Sequence, residues 1–406
     1  MHPSPILEEE WSQMRKPSPQ KLELKDRDVR DQAVARLRSH LPLSVSGYDC
    51  TTDMVLDVLV QAAATQKTIE SVCNDLASVS DSNTIRAYLN EQIKADDLVE
   101  LERQMNAALV EGIPARVRSR AWEVAFDFHD EPFYGHSPTL LAYACGGEAR
   151  AGTTRFYRVA TAYVIVKHLR VTLACLFVRP EDEIADILAS LIRRVQILGI
   201  KIIRLMLDKG FCSNPVFRFV EASGWSAILA CPIRGKSGGT RALCQGRSGY
   251  RTQHTFRSDK HGEYTAQVVV ARTFTTRKRS KRGKRRAQWL VYVVFRCDDF
   301  SPRQVRQAYR RRFGIETSYR CMRQGRAWTT SRNPALRFLL IALGFILVNL
   351  WLELRWRFAQ IPRRGARKIN ETLFQLQRMT SFLRRAIEAI YGVVSSIQAQ
   401  VKPLGV

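Results

Sequence analysis

The spacing of apolar residues changes from a helical period to a period of two near residue 120. From Thr52 to Val110 apolar residues recur at helical spacing, as in DMVLDVLVQAAA, which predicts helices. After residue 120, the segments 121–128, 155–166 and 170–178 alternate apolar and polar residues, and we expect strands there. The chain is therefore predicted to begin with helices and to continue with a sheet.

The next segment alternates helices with apolar strands. Residues 181–198 are amphipathic with acids in the first turn, which indicates a helix. Residues 201–207 (KIIRLML) are typical of a strand in the middle of a sheet, and 225–233 predicts a further strand. Between them we expect a helix with Asn214 as N-cap and Pro215 at its first position. This order of elements predicts an α/β layer fold.

The C-terminal part contains three elements of different character. Residues 235–295 are rich in Gly, Thr and Arg, and we expect an irregular β region. SPRQVRQAYRRRFGIETSYRCMRQ predicts one helix, with Ser301 and Gln304 forming a capping box. Residues 338–352 are almost wholly apolar, but a membrane-spanning helix needs about 20 such residues, so we expect a buried core helix.

These patterns divide the chain into regions. We expect an N-terminal arm at 1–45, a helical domain at 46–115, an α/β domain at 116–355 with a β insertion at 235–295, and a helical tail at 356–406. Within the helical domain, two short helices broken at Ala77–Ser82 have the arrangement of a helix-turn-helix, with Asn83, Thr84 and Arg86 starting the second helix. Any small helical bundle gives the same pattern and this region is not basic, so DNA reading and plain packing both stay open.

Positive charge is concentrated after residue 120. The chain has 64 Lys plus Arg against 38 Asp plus Glu, a net charge of +26. Residues 1–120 carry 15 basic and 19 acidic side chains, whereas 121–406 carry 49 and 19, a net charge of +30. Solubility does not require such an excess, which implies an anionic partner. Nucleic acid is the commonest partner of such a domain, and an anionic membrane surface is the alternative.

The nine cysteines are scattered singly and form no C-x-x-C, which argues against a zinc ribbon or a redox motif. They are typical of reduced, buried thiols. The N-terminus, MHPSPILEEEW, lacks the basic and apolar segments of a signal peptide. We therefore expect a cytoplasmic protein.

Three acids stand at positions where carboxylates can converge. Asp127 lies near the end of the first predicted strand, Asp208 ends the central apolar strand, and Glu316 lies on the helix after the β insertion. Carboxyl ends of strands in such sheets open onto the binding crevice. Carboxylates converging there favour Mg²⁺, which prefers oxygen ligands and keeps positions open for water and phosphate. Two such ions about 4 Å apart support phosphoryl transfer.

Each acid also has a structural interpretation. Asp127 is compatible with a turn at a strand end, Asp208 with a turn before Lys209-Gly210, and Glu316 with an ion pair to Arg312 or Arg320 at helical spacing. Asp130 is a rival for Asp127, because it lies three residues away. The joint placement of the three acids favours the chemical interpretation.

The chain resembles the DDE transposases of bacterial and archaeal insertion sequences, in the branch marked by a Tyr-x2-Arg-x3-Glu-x6-Lys motif. The residues at these spacings are Tyr309, Arg312, Glu316 and Arg323. Arg323 replaces the family's Lys, which keeps the charge but changes the contact geometry. DFHDEPFYG (127–135), RLMLDKGF (204–211) and LVNLW (347–351) also match, so the resemblance spans about 120–355.

The resemblance implies a ribonuclease-H-like mixed sheet flanked by helices, with a β-rich insertion before the helix that carries Glu316. It implies that Asp127, Asp208 and Glu316 are catalytic ligands of two Mg²⁺ ions, for which Mn²⁺ can substitute. The implied activity is an endonuclease that cuts insertion-sequence ends and joins the 3′-hydroxyl ends to target DNA. The implied partners are double-stranded DNA and a second copy of the chain in a synaptic homodimer, in a prokaryotic cytoplasm at the nucleoid.

Outside the helical domain, the predicted DNA contacts fall into two groups. The resemblance implies that Tyr309, Arg312 and Arg323 contact DNA near the scissile phosphate, and Arg320 lies on the same helix. The basic run RKRSKRGKRR (277–286) favours phosphate contact over a merely solvated loop, and its contributing residues are Arg277, Lys278, Arg279, Lys281 and Arg282. For Trp289, Tyr292 and Trp328, core packing is favoured over stacking on bases.

Two other functions are compatible with the same residues. One is a nuclease on this fold that cuts DNA but never joins strands. The other is a domesticated DNA-binding protein without catalysis, against which the presence of all three acids argues.

Overall fold

The computed structural model describes residues 23–166, 169–276, 285–361 and 368–397. The chain starts with a helical unit. Its helices are α1 (Asp26–His40), α2 (Thr52–Thr65), α3 (Ile69–Asp75), α4 (Ser82–Gln92), α5 (Leu98–Val110) and the short α6 (Ala115–Arg118). Thr51 caps α2 by accepting a hydrogen bond from the backbone of Met54, and almost the whole of α2 is buried. The segment expected to be an arm contains α1, which buries Val29 and Leu37, so this part of it is packed rather than extended.

The C-terminal helix α13 (Leu376–Tyr391) packs into the same helical unit. The backbone N–H groups of Ala77 and Ser78 donate to the carbonyls of Gly392 and Tyr391, at 3.2 and 2.9 Å. The hydroxyl of Tyr391 also donates to the buried carboxylate of Asp57, at 2.9 Å. The helical unit is thus built from both ends of the described chain, rather than from residues 46–115 with a separate tail.

A mixed sheet follows the helical unit, as the resemblance implied, and the fold class is confirmed. Its strands are β1 (Ala121–Pro132), β2 (Cys145–Arg150), β3 (Thr153–Val166), β4 (Leu169–Val178), β5 (Lys201–Leu207), β6 (Ala227–Cys231), β7 (Tyr250–Ser258), β8 (Gly262–Thr276) and β9 (Arg285–Phe295). The order across the sheet is β2-β3-β1-β5-β6-β9-β8-β7, and β4 pairs with β3. The neighbours β1, β5 and β6 are parallel, whereas β1–β3 and β6–β9 are antiparallel.

Helices connect and cover the sheet. They are the short α7 (Pro138–Leu141), α8 (Ile184–Ile197), α9 (Asn214–Ala222), α10 (Pro302–Arg310), α11 (Gly314–Gln324) and α12 (Pro334–Phe358). A minor ladder pairs β10 (Gln360–Ile361) with β11 (Lys368–Ile369). The N-cap of α9 is Ser213 rather than Asn214. Asn214 is buried, and its amide donates to the carbonyls of Phe256 and Gly262, so it anchors the β7–β8 hairpin instead.

The first strand is longer than its sequence suggests. It was expected to end near residue 128, but β1 continues to Pro132 because it pairs with β3 as far as Phe156. Its parallel pairing with β5 ends earlier, at Phe126 opposite Leu207. The next residue on each strand, Asp127 and Asp208, therefore lies at the end of the parallel ladder.

The β insertion is regular, contrary to the expectation of an irregular region. Strand β9 pairs with β6, so β7, β8 and β9 extend the main sheet by antiparallel strands. Strand β6 itself covers Ala227–Cys231, which is shorter than the expected 225–233. Most of the basic run, residues 277–284, falls between β8 and β9 in the sequence and lies outside the described residues.

The apolar helix α12 is the core helix that the sequence predicted. It is 25 residues long, and an 18-residue window within it has a mean hydropathy of 2.2, enough to cross a membrane by length and composition, but 94% of that window is buried inside the protein. Its Asn349 is buried, and its amide bonds the backbone N–H and C=O of Thr172 on β4, at 3.1 and 2.8 Å. Asn106 of α5 bonds Cys175 on β4 in the same way. The two amides satisfy the outer edge of β4, which would otherwise leave backbone groups unpaired.

Candidate active site

Asp127 and Asp208 lie side by side at one edge of the sheet. They follow the last parallel pair of β1 and β5, so the sheet register brings them together. The Asp127 side chain is 11% exposed and that of Asp208 is 33% exposed. One Asp127 oxygen accepts a hydrogen bond from the N–H of Phe128, at 2.9 Å. The site is therefore a pair of carboxylates, one deep and one partly open to solvent.

Arg312 holds the two carboxylates together. A terminal nitrogen of its guanidinium contacts Asp208 and lies 3.7 Å from an oxygen of Asp127. The guanidinium also lies over the ring of Tyr309, at 5.3 Å from its centroid. The sequence predicted one helix through this region, but a 3-10 turn (Arg311–Phe313) separates α10 from α11. This turn points Arg312 into the site, while Arg311 pairs with Glu123 near the surface.

The burial of the site changes its protonation. Burial raises the pKa of Asp127 to about 7, because the charged form loses hydration; Arg312 lowers this pKa and Asp208 raises it. Burial alone would lower the pKa of Arg312, but Tyr309, Asp127 and Asp208 outweigh that effect and the pKa is raised. Arg312 thus stays positively charged between the acids.

Two buried tyrosines dock the late helices onto the sheet beside the two acids. Tyr309 of α10 donates its hydroxyl to the carbonyl of Leu207, the residue before Asp208, at 3.1 Å. Tyr319 of α11 is hydrogen-bonded to the hydroxyl of Thr161, at 2.7 Å, and Thr161 is the register partner of Asp127. Each tyrosine therefore fixes one helix beside one of the two acids.

Tyr319 and Thr161 were not identified from the sequence. Tyr319 lies three residues after Glu316, and residues at this spacing share a helix face. That spacing was a usable signal. Thr161 had no sequence signal, because its position depends on the pairing of β3 with β1.

Asp130 forms ion pairs away from the site of Asp127 and Asp208. It accepts hydrogen bonds from Arg158 at 2.7 Å and from Arg150, and successive side chains on a strand point to opposite faces. Farther along the face of Asp127, Glu131 is bonded by Arg326 at 2.5 and 3.0 Å. Burial opposes ionisation of Glu131, but His129 and Arg326 outweigh it and lower its pKa to about 2. Asp127, rather than Asp130, faces Asp208.

Glu316 lies on α11, and its side chain, with those of residues 313–317, falls outside what the structure describes. Among the described residues no three His, Cys, Asp or Glu side chains form a group that could hold a metal. The two acids nevertheless suit a divalent cation in donor chemistry, since both offer oxygens and both already contact one cationic group, Arg312. A third oxygen ligand would have to come from outside the described side chains.

The predicted DNA-binding residues differ in exposure. Arg320 and Arg323 of α11 are exposed. Tyr309 and Arg312, by contrast, are 4% and 5% exposed, so neither presents a surface for DNA contact in this structure. They are buried because Tyr309 bonds Leu207 and Arg312 pairs with Asp127 and Asp208. The basic residues Arg277, Lys278, Arg279, Lys281 and Arg282 lie outside the described residues.

Helix α4 is the second helix of the possible helix-turn-helix, and Asp81 is its N-cap. Asn83 is exposed, and its side-chain oxygen accepts a hydrogen bond from Arg86 at 2.6 Å. Arg86 also lies 3.8 Å from Glu70. Asn83 and Arg86, both predicted to contact DNA, thus bond to each other in this structure.

Of the three aromatics, Tyr292 is buried and Trp289 is half-buried, but Trp328 is 62% exposed, so core packing was the wrong expectation for Trp328.

Asp127 and Asp208 follow neighbouring parallel strands, and the carboxyl ends of such strands open onto the ligand-binding crevice of an α/β sheet. Residues 180–350 match the family model described as the transposase DDE domain. This segment includes Asp208, Arg312 and Glu316, whereas Asp127 precedes it. The match confirms the resemblance to DDE transposases for residues 180–350, which are fewer than half of the chain.

A solved structure gives a similar result for the fold. The cryo-EM structure of the piggyBac transposase synaptic complex with hairpin DNA aligns with a TM-score of 0.50, covering 91% of this chain and 78% of that chain. The sequence identity is 9%, so this likeness concerns the fold alone. No match is found among curated protein sequences. The family match supports a transposase function, and the solved structure supports the fold.

Proposed function

We propose that this chain is a divalent-metal-dependent DNA transposase that cuts the ends of its own element and joins the 3′-hydroxyl ends to target DNA. The observation that carries the proposal is the convergence of Asp127 and Asp208 on one cationic group at the ends of adjacent parallel strands. An acid pair of this kind inside a region of net charge +30 suits phosphodiester chemistry.

Asp127 and Asp208 would hold the metal, with Glu316 as third ligand. When bound, two Mg²⁺ or Mn²⁺ ions supply activation of the attacking oxygen and stabilisation of the leaving oxygen. Tyr309 and Tyr319 keep the late helices aligned with the strands that carry the acids. The chain's own contribution is thus the placement of oxygen ligands and the binding of the DNA backbone.

The exposed arginines of α10 and α11 supply a DNA-binding face. Arg303, Arg310, Arg320 and Arg323 are exposed on the two helices that flank the site. Arginine pairs well with phosphate, because its planar group donates two parallel hydrogen bonds. The basic run 277–286 would extend this face, and the helical unit with Asn83 and Arg86 would bind element ends. DNA as the partner agrees with the content of the piggyBac transposase structure, a synaptic complex with hairpin DNA.

We further infer a homodimer in a synaptic complex, acting in a prokaryotic cytoplasm at the nucleoid. Pairing of two element ends requires two active sites held together. These statements rest on the resemblance to insertion-sequence transposases.

The test uses a supercoiled plasmid that carries the gene with its native flanking DNA. The parent chain with Mg²⁺ is expected to cut at the element ends and to insert them into a second plasmid. Glu316→Ala is expected to abolish both reactions while DNA binding stays. Cleavage by this variant would contradict the assignment of Glu316.

The joining step is tested separately with precut ends. Cleavage without joined product would identify a nuclease, and DNA binding without cleavage would identify a non-catalytic protein. Loss of all DNA binding at physiological salt would remove the proposal altogether.

A further inference from the structure

Arg312 stands at the point where the two candidate metal ligands meet. It contacts Asp208 directly and Asp127 at 3.7 Å, and it is 5% exposed. Its neighbour Arg311 has a side chain that is 60% exposed and pairs with Glu123. Two consecutive arginines thus have opposite environments, one at the surface and one inserted between the acids.

The 3-10 turn creates this difference. It interrupts the helical path between α10 and α11, and a short 3-10 piece inside a helix often marks a functional hinge. Tyr309 holds the preceding helix to Leu207, so the turn begins from a fixed point next to Asp208. The docking of α10 at Leu207 is made by Tyr309 and not by Arg312.

The hydrogen bonding of Arg312 is incomplete. Its Nε is buried and has no hydrogen-bond partner among the described residues. Its partner Asp208 is partly exposed, so one side of the ion pair is open to competition from solvent ions. A buried arginine with a free donor is less firmly held than one whose donors are all used.

We propose that Arg312 is an exchangeable occupant of the metal site. It leaves Asp127 and Asp208 when a divalent cation binds, and its guanidinium then pairs with a DNA phosphate. A guanidinium and a divalent cation repel each other, so they compete for the same two carboxylates. This inference rests on the proposed function, because the metal and the DNA come from it.

The exchange couples the two ligands of the site. DNA that attracts Arg312 frees the acids for metal, and metal that displaces Arg312 frees it for phosphate. Such coupling is reciprocal by thermodynamic necessity. The chain without DNA therefore holds metal weakly, and the metal site is completed only when a phosphate is close.

The experiment measures Mn²⁺ binding to the full chain without DNA, from the electron paramagnetic resonance signal of free Mn²⁺. Arg312→Gln is expected to bind Mn²⁺ about 5- to 150-fold more tightly than the parent chain, the range typical of coupled sites. Arg311→Gln removes the surface arginine and is the matched control, with no change expected. Adding Asp208→Asn to Arg312→Gln should remove the gain, which assigns it to this site.

A second measurement adds a synthetic DNA duplex. The duplex is expected to raise the Mn²⁺ affinity of the parent chain and of Arg311→Gln, but not that of Arg312→Gln. If Arg312→Gln does not fold, Arg312→Lys serves instead, because the lysine ammonium ends one bond closer to the backbone than the guanidinium nitrogen that reaches both carboxylates. Its Mn²⁺ affinity should exceed that of the parent.

The outcomes separate the two proposals. If the variants bind Mn²⁺ no more tightly than a parent chain that does bind it at Asp208, the exchange is wrong and the proposed function stands. If neither the parent nor any variant binds Mn²⁺ at these acids, with or without duplex, both proposals fall.

Discussion

Two buried acid sites in this molecule are satisfied in opposite ways. In the helical unit, Asp57 is fully buried, both of its oxygens accept from Arg30 at 2.7 and 2.5 Å, and Tyr391 adds a third bond. At the strand ends, Asp127 and Asp208 share Arg312, whose contact with Asp127 is 3.7 Å. Arg30 gives two of its nitrogens to Asp57 and a third to Asp31, whereas a single nitrogen of Arg312 is divided between Asp127 and Asp208.

The difference separates structural from chemical use of buried charge. A buried acid whose hydrogen-bonding capacity is filled holds elements together, and removing its partner is costly. An acid pair that accepts fewer hydrogen bonds than its oxygens could accept has oxygens left for a further ligand. The raised pKa of Asp127 reflects the same shortage of hydrogen-bond donors, because its neighbours do not fully compensate the hydration that the carboxylate loses on burial.

The largest effect is expected on catalysis. Asp208→Asn should lower the rate of end cleavage by about 10,000-fold, or about 5.4 kcal/mol in the barrier, because an amide is a poor ligand for a divalent cation. Asp130→Asn, on the opposite face of β1, should retain most of the rate. Equal losses in both variants would mean that the strand-end pair is not the catalytic one.

The next effect is expected on stability. Asp57→Ala should lower the free energy of unfolding by about 3–5 kcal/mol in a urea titration, because it leaves Arg30 without its buried partner. Asp31→Ala is the control, because this exposed acid also pairs with Arg30 and should cost less than about 1 kcal/mol. A loss from Asp57→Ala as small as that of the control would contradict the structural role of Asp57.

A third buried acid predicts a pH dependence. Burial raises the pKa of Glu102 to about 7, against the opposing effects of Arg194 and the N–H of Phe177. Because the folded pKa is raised, its contribution to stability is fully present below about pH 4.5 and is lost as the pH rises through about 7. The loss is at most about 3 kcal/mol.

The comparison of Glu102→Gln with the parent isolates this contribution. The difference in the free energy of unfolding between the two proteins should change by up to about 3 kcal/mol from pH 5 to pH 8 in favour of the variant. Glu100→Gln, on the exposed side of the same helix, should show no comparable change. A pH-independent difference for Glu102→Gln would show that Arg194 compensates Glu102 fully.

The smallest effects are expected for the docking tyrosines. Tyr319→Phe and Tyr309→Phe should each lower the free energy of unfolding by about 1 kcal/mol, the usual net value of one hydrogen bond. If these bonds also position the helices, cleavage should fall more than binding of DNA, and Mn²⁺ affinity should fall with it. Unchanged cleavage in both variants would restrict the tyrosines to packing.

The acid pair could be predicted from the sequence because each acid lies at or near the end of a segment whose residue pattern predicts a strand. Asp208 follows a continuous apolar run, which identifies a central strand and its end. Asp127 was expected at the end of its strand; the strand continues to Pro132, and it is the parallel ladder that ends just before Asp127. The polar residues after Asp127 suggest a turn, but pairing with the long strand β3 overrides that local preference.

The position of Arg312 could be predicted from the sequence only in part. Its spacing in the motif identified it as important, but a helical pattern cannot show that a 3-10 turn directs it inward. The packing of α13 against α1 and α2 was also hidden, because contacts between distant segments leave no periodic signal. The regular β insertion was missed since its Gly, Thr and Arg content masks the pairing with β6.

The joining of both chain ends in one helical unit has a consequence for synthesis. The unit that contains α1 to α5 cannot be completed until Tyr391 and the residues after it have left the ribosome. At about 5–20 residues per second, the first helices wait many seconds for that last partner. The sheet with its acids can form in the meantime. A nascent chain interrupted before α13 would therefore carry the acid pair on its sheet without a finished helical unit.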